Sequence, residues 1–422
     1  MTAPHEHGPR RKPAVLLVPV LLVAALLVLV ETVGTRLSPP DRLDRILQIL
    51  ERDPDLLWRL RAGLVGVFEG VRVRTSDRHL RGASFAARAP RGVARIVCLG
   101  ASPTFGWGVA EGEAYPAVLE RLLRERGVNA EVINGGVPGY STWQASRWFR
   151  RDVLSWSPDA ITVDYVLNDL DRFRFFGNDG RPDAAQKSAP RFVVGSQNIL
   201  NRTASFRLFR RGVLRLASRE RIADVTGLPR RVPPEDFRRN LLAIEAECRL
   251  RNVGLVFVRL PVNLPFHRLR VVDAAGASAA LSRAAARDER GEAEQAVTEY
   301  REAVRLDPSR PETYERLARA LRRTGRGDEA RKMRDLGLFA AAFRDHPEGD
   351  YYRVIEEVAA ATGRPLADIV AAFRADGRDE GLWNSAEDPF HPNAAGHRII
   401  AERLAGELEP VLRPRESPHD AR

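Results

Sequence analysis

The sequence predicts an α/β fold in which a parallel sheet is covered by helices on both faces. Two observations carry this. From residue 94 onward, short β-rich runs alternate with longer helical patterns, the order that builds strand–helix–strand units. The run RIVCL at 95–99 and the run GLVFVRL at 254–260 are nearly continuous in apolar residues, as strands buried on both faces are. The remaining elements follow in order: a helix over 115–126 ending near Gly127, a strand over 130–133, a helix over 142–154 and a strand over 160–165. After these come a helix over 236–251, a helix over 351–361, a fifth strand over 365–370 and a closing helix over 393–411. In such sheets, ligands bind beyond the carboxyl ends of the strands.

At 422 residues the chain is long for one ordinary domain and predicts two or three units. Its apolar share of 44% supports a sizeable core, and its formal net charge is +11. Only three of the 67 basic residues are lysine (Lys12, Lys187 and Lys332), a bias that fits a GC-rich genome as well as a ligand. A basic face favours anionic lipid or acidic glycan. No basic stripe with interleaved aromatics occurs, so no nucleic acid is expected as a partner. Cys98 and Cys248 make neither a disulfide framework nor a zinc site and are expected as buried thiols. With no metal-ligand cluster and no phosphate loop, no metal and no cofactor are expected.

Arg10, Arg11 and Lys12 precede an uncharged apolar run over 14–30, at the short end of what spans a bilayer. The basic cluster before the run predicts a cytoplasmic N-terminus with the rest of the chain across a cytoplasmic (inner) membrane, periplasmic in a Gram-negative cell. A cleaved signal peptide is the rival reading, although Glu31-Thr32-Val33-Gly34 makes a poor cleavage site. The expected organisation is a cytoplasmic N-terminus and transmembrane anchor over 1–36, and a stalk with a β-rich lead-in over 37–90 that includes a helix over 41–51. The α/β domain then runs over 91–274 and 346–413, a helical insertion over 275–345, and a disordered tail over 414–422.

Two segments interrupt the α/β pattern. Residues 171–234, rich in arginine and phenylalanine, resist assignment and read either as a lid near the substrate or as a surface insertion. The second interruption repeats: Gly291 and Gly325 stand 34 residues apart, as do Ala296 and Ala330. This period, with the phrases RGEAEQAVTEYREAVRLDP and YERLARALRRTGRGDEAR, looks like a pair of tetratricopeptide repeats. Such a pair would either dock a protein partner or stabilise the domain that hosts it.

The candidate chemistry lies at strand ends. Ser102, in LGASPTFGWG, follows the first strand, where a serine is exposed at the carboxyl edge of the sheet or simply caps a helix. Near the other end, Asp388 and His391 in EDPFHPN are spaced so that a carboxylate can orient an imidazole, which can take and return a serine proton. Asp388 as a helix cap is the bland alternative, and His397 reads as surface or packing. Gly139, in NGGVPG after the second strand, can offer a backbone N–H, and Asn168, after VDYVL, a side-chain amide. With the Ser102 N–H, these would suffice for an oxyanion hole.

In their order and context the phrases LGASPTFGWGV, VINGGVPGYST, VLNDL and DPFHPNAAGH resemble the four blocks of the SGNH/GDSL hydrolase family. The resemblance covers 91–170, 236–261 and 351–408. It implies a flavodoxin-like three-layer α/β/α sandwich, with Ser102 as nucleophile, Asp388 and His391 completing the triad, and Ser102, Gly139 and Asn168 as oxyanion donors. Two positions depart from the pattern: Ala101 replaces the usual Asp before the serine, and Val166 the usual Gly two before the Asn.

The leading functional expectation is an extracytoplasmic serine ester hydrolase acting through an acyl-enzyme on Ser102. A second is an O-acetyl transferase or deacetylase acting on an acylated cell-surface polysaccharide. A third, motivated by Ala101 and Val166, is a catalytically weak scaffold whose repeats bind an envelope partner.

Overall fold

The computed structural model describes residues 22, 25–26, 28–34, 36, 42–172, 181–186, 189–217, 229–263, 271–343, 348–378, 381–385, 388 and 390–412. The expected anchor over 14–30 and the tail over 414–422 fall mostly or wholly outside them. Among the described residues, no helix is long and apolar enough to cross a membrane. The chain divides into two compact units, one made of residues 1–54 and 189–223, the other of 55–188 and 224–422.

The smaller unit contains helix Arg42–Ile49, strand β1 (Leu50–Asp53) and helices Arg191–Leu200 and Ala204–Ala217. The helix expected over 41–51 thus stops at Ile49, where the chain turns extended. Segment 171–234, unassigned from sequence, supplies the other two helices. Asn198 clasps the Arg52 backbone from both sides, accepting its N–H at 2.8 Å and donating to its carbonyl at 2.9 Å. Glu31 accepts the N–H groups of Ala204 and Ser205, satisfying donors that a helix start leaves unpaired.

The larger unit begins with β2 (Leu57–Leu60) and an antiparallel hairpin of β3 (Val65–Phe68) and β4 (Val71–Arg74). This part of the segment expected as a stalk belongs to the folded domain. The Trp58 indole donates to the Pro138 carbonyl at 3.0 Å, the Tyr140 hydroxyl donates to the Trp58 carbonyl at 2.8 Å, and both rings are buried. Burying a tryptophan removes a large apolar area from water, more than a solvated stalk would offer it.

The central sheet has five parallel strands: β5 (Ala94–Gly100), β6 (Ala130–Gly136), β7 (Ala160–Asp164), β8 (Gly254–Arg259) and β9 (Leu366–Asp368). Their spatial order is β6-β5-β7-β8-β9, the flavodoxin-like order in which the chain reverses direction across the sheet between β5 and β7. Along β5, Ile96 and Cys98 face a core shared with helices Tyr115–Glu125, Ile369–Asp376 and Ala394–Leu412. Helices Thr142–Arg151, Pro234–Leu250 and Glu348–Thr362 pack on one another as a second layer. Cys98 and Cys248 are free and buried, and burial pushes both thiols up to about 12.

The fifth strand is shorter than the expected 365–370. The Asp368 side chain accepts the Ala371 N–H at 3.0 Å, so helix Ile369–Asp376 starts where two more strand residues were expected. The second strand instead runs past 133 to Gly136.

The insertion is four helices, Ala274–Glu289, Ala293–Leu306, Pro311–Arg323 and Gly327–Phe343, each packed on the next. Gly291 and Gly325 occupy equivalent turns, both at φ +77°, a conformation that favours glycine. Ala296 and Ala330 are fully buried between helices, with Tyr300, Leu317 and Leu321 around them.

Candidate active site

The sheet's carboxyl edge brings three loops together. Strand β5 ends at Gly100, and Ser102 opens a single turn of helix, Ser102–Phe105, closed by Gly106 at φ +85°. Strand β6 passes directly beneath this turn. A Cβ on Gly136 would lie 2.0 Å from the Phe105 nitrogen, so glycine is required for the two backbones to approach. Arg81 donates to the carbonyls of Phe105, Gly106 and Val109 at 2.6–2.7 Å and fixes the rest of the turn.

Asp388 and His391 come from the loop before the last helix. Asp388 Oδ1 accepts the backbone N–H of Phe390 at 3.1 Å and of His391 at 2.9 Å, which sets the carboxylate in place. The Asn263 amide holds the same residue from outside, donating to the Asp388 carbonyl at 2.7 Å. His391 Nδ1 lies 3.0 Å from Asp388 Oδ1 and 3.1 Å from Oδ2, and His391 Nε2 lies 2.9 Å from Ser102 Oγ. An acceptor-only carboxylate at Nδ1 selects the tautomer with the proton there, which leaves Nε2 free to accept from the serine hydroxyl. Burial alone would raise the Asp388 carboxyl. The neighbouring His391 and the hydrogen bonds from its ring and from two backbone N–H groups outweigh it, and the carboxyl is held below the usual range.

Asn168 sits on the short helix Leu167–Leu170 after β7, and its Nδ2 donates to the Tyr140 carbonyl at 3.0 Å. This ties the loop after β7 to the loop after β6. Ser102 and Asn168 line one cleft together with Ala101, Asp164, Val166, Leu260 and Phe390. Gly139, at φ +79°, stands next to Tyr140 and is not among the residues lining that cleft. The backbone N–H groups of Ser102 and Gly139 have no acceptor among the described residues. His397, the competing histidine, is packing: it is fully buried, accepts the Tyr115 N–H at 3.2 Å, and is driven by burial down to about 3, so it stays neutral.

Residues 98–399 match the GDSL-like lipase/acylhydrolase family. The chain belongs to that family. It is an ester hydrolase by that membership. Among solved structures, the chain is similar to the lipase/acylhydrolase from Enterococcus faecalis, at 13% identity and a TM-score of 0.38, over 77% of this chain and 100% of the other. It is similar to an acetyl xylan esterase, AlAXEase, at 11% identity and a TM-score of 0.38, over 74% and 98%. It is also similar to an acetylxylan esterase from Geobacillus stearothermophilus, at 14% identity and a TM-score of 0.36, over 76% and 97%. No curated protein matches in sequence.

Sequence reasoning passed over several parts of this GDSL-like site. Asp164 ends β7 on the cleft wall and accepts from the Thr104 hydroxyl at 2.8 Å; burial outweighs that bond and pushes its carboxyl up to about 7. The signal was present, since Asp164 is the one charged residue in the buried run AITVD. Asp169, also buried and pushed up to about 7 by burial, accepts the Thr142 N–H at 2.9 Å and so ties the short helix that carries Asn168 to the start of helix Thr142–Arg151. Leu260 and Phe390, which wall the cleft, carried no sequence signal because apolar residues at loop entrances are common.

Proposed function

We propose that this GDSL-like hydrolase cleaves esters through an acyl-enzyme on Ser102, in a domain held outside the cytoplasmic membrane by the apolar N-terminal run. The observation that carries the catalytic part is the continuous relay from Ser102 Oγ to His391 Nε2 at 2.9 Å and from His391 Nδ1 to Asp388 at 3.0 Å. In this reading His391 removes the hydroxyl proton as Oγ attacks the ester carbonyl, and Asp388 holds the ring and stabilises the imidazolium. His391 then returns the proton to the leaving alcohol, and a water activated the same way releases the acid. In this reading the Ser102 N–H and the Asn168 amide, both at the cleft, receive the oxyanion, and the Gly139 N–H is the third donor that the family resemblance implies. Val166 and Ala101 lie on the cleft wall rather than in the relay, so neither departure from the family pattern interrupts proton transfer.

The test uses a fluorophosphonate probe on the full chain beside Ser102→Ala, with short- and long-chain nitrophenyl esters in parallel. Labelling and hydrolysis that both vanish in the variant support the reading. Hydrolysis retained without Ser102 would sink it, and an unlabelled, folded protein would favour the scaffold alternative.

A second reading, removal or transfer of O-acetyl groups on a surface glycan, is favoured by the cleft's side walls. Val166, Leu260 and Phe390 crowd the space beside Ser102 and suit a short acyl group. It predicts acetyl ester turnover well above that of long-chain esters. The apolar exposure of Leu22, Leu26, Val28, Leu29 and Val33 supports the membrane tether, and protease protection in right-side-out against inverted vesicles tests it.

A further inference from the structure

His391 has a second set of contacts that the proton relay does not require. The Trp107 ring lies flat against the imidazole, with centroids 5.1 Å apart and planes 13° from parallel. Phe68 in turn meets Trp107 edge to face, at 4.7 Å and 84°. Phe68 is buried and ends β3, well before the family match begins at residue 98.

The backbone around Trp107 is tied to both halves of the relay. Its N–H donates to the Ser102 carbonyl at 3.1 Å. Its carbonyl accepts from the Asn384 side chain at 2.8 Å, and the Asn384 N–H donates to the His391 carbonyl at 3.0 Å. Arg74, at the end of β4, grips Glu111 with three hydrogen bonds of 2.7–3.2 Å, closing the hairpin onto the segment that follows Trp107.

We propose that Trp107 is a positioning residue for His391, braced by Phe68, and that the β3–β4 hairpin outside the family match is therefore part of the catalytic apparatus. The proposal rests on the reading of His391 as the general base. The imidazole turns about its Cβ–Cγ bond, a terminal torsion with a broad well, and the hydrogen bonds at its two nitrogens bend easily, so they restrain that motion without stopping it. A flat indole removes that freedom. When the imidazole takes the serine proton it becomes a cation, and the electron-rich indole face holds it more strongly than the neutral ring. The contact thus strengthens toward the transition state, which is the condition for it to raise the rate rather than merely to bind. Trp107 is not among the residues lining the cleft around Ser102, so a positioning role is read as a loss in kcat rather than in KM.

The experiment compares Trp107→Leu, Trp107→Phe and Phe68→Ala in the full chain, with Ser102→Ala as reference. kcat and KM are measured on a short-chain nitrophenyl ester, with the melting temperature alongside. Trp107→Leu keeps an apolar cover but no ring, and kcat should fall about tenfold with KM within about twofold. Trp107→Phe restores a ring and should recover most of the loss, and Phe68→Ala should fall between them. Unchanged kcat in Trp107→Leu would overturn the proposal. So would equal losses in Leu and Phe variants that track a lowered melting temperature, since that pattern belongs to packing alone. If Ser102→Ala still hydrolyses ester, the catalytic reading itself falls; if it is dead while Trp107→Leu is fully active, only the positioning role does.

Discussion

Replacing Asp164 by asparagine should change how the stability of this protein depends on pH. Asp164 is 5% exposed, and its only hydrogen-bond donor among the described residues is the Thr104 hydroxyl. No cation pairs with it there, and burial raises its carboxyl from the usual 3.8 to about 7. Between those values the folded protein holds a proton that the unfolded chain releases. Stability therefore falls as pH rises from about 4, and levels off above about 7. A gap of about three pH units at about 1.4 kcal/mol each amounts to about 4 kcal/mol, an upper bound for a group with access to a cleft. The substituted amide would be neutral at every pH and would keep an acceptor for Thr104. Urea unfolding of wild type and Asp164→Asn from pH 4.5 to 8.5 gives the comparison. The two should nearly coincide at the acid end, and the variant should gain steadily to pH 8. Asp169 titrates in both proteins, so the difference between them isolates Asp164. A difference that stays flat from pH 5 to 8, or a variant less stable at pH 8, would refute the reasoning.

Two other outcomes follow from named contacts. Asn168→Ala, measured as kcat on a short-chain ester, should lose on the order of 10²–10³ through the missing oxyanion donor, with the fold intact by circular dichroism. The Arg231–Asp183 pair, 2.9 Å apart and buried, also receives the Ser141 hydroxyl at 2.7 Å. Arg231→Met should lower stability by about 3–5 kcal/mol in urea, and adding Asp183→Leu should recover much of it, because the cost lies in the abandoned charge.

Much of the site was legible because its pieces are local. A serine directly after a buried strand, a glycine turn after the next, and Asp-x-x-His before the last helix are each short-range patterns. Asp388 reaches His391 from three residues away, with its own carboxylate accepting the backbone N–H of His391, so this part of the pattern is local. The parallel sheet was equally legible, since strands such as β5 and β8 are apolar on both faces. The boundaries failed where a side chain overrode the pattern: Asp368 capped a helix and cut β9 short. Residues 37–90 looked like a stalk because polar and apolar residues mix there without a clear period. Trp58 joins the domain through Pro138 and Tyr140, some 80 positions along the chain, and through Arg231 over its ring.

The sequence by itself determined the order of the five central strands, the parallel sheet, and the serine, aspartate and histidine that hydrogen-bond in series, because hydrophobic period and turn chemistry are encoded over a few neighbouring positions. Only the tertiary structure decided that His391 reaches Ser102 across 289 positions, that Trp107 stacks on its ring with Phe68 against the indole, and that Asp164, a carboxyl with no cation beside it among the described residues, faces the same cleft. Those facts depend on which strand ends become neighbours and on how deeply each group is buried. Both are set by the packing of the whole sheet and its helices, not by local patterns in the chain.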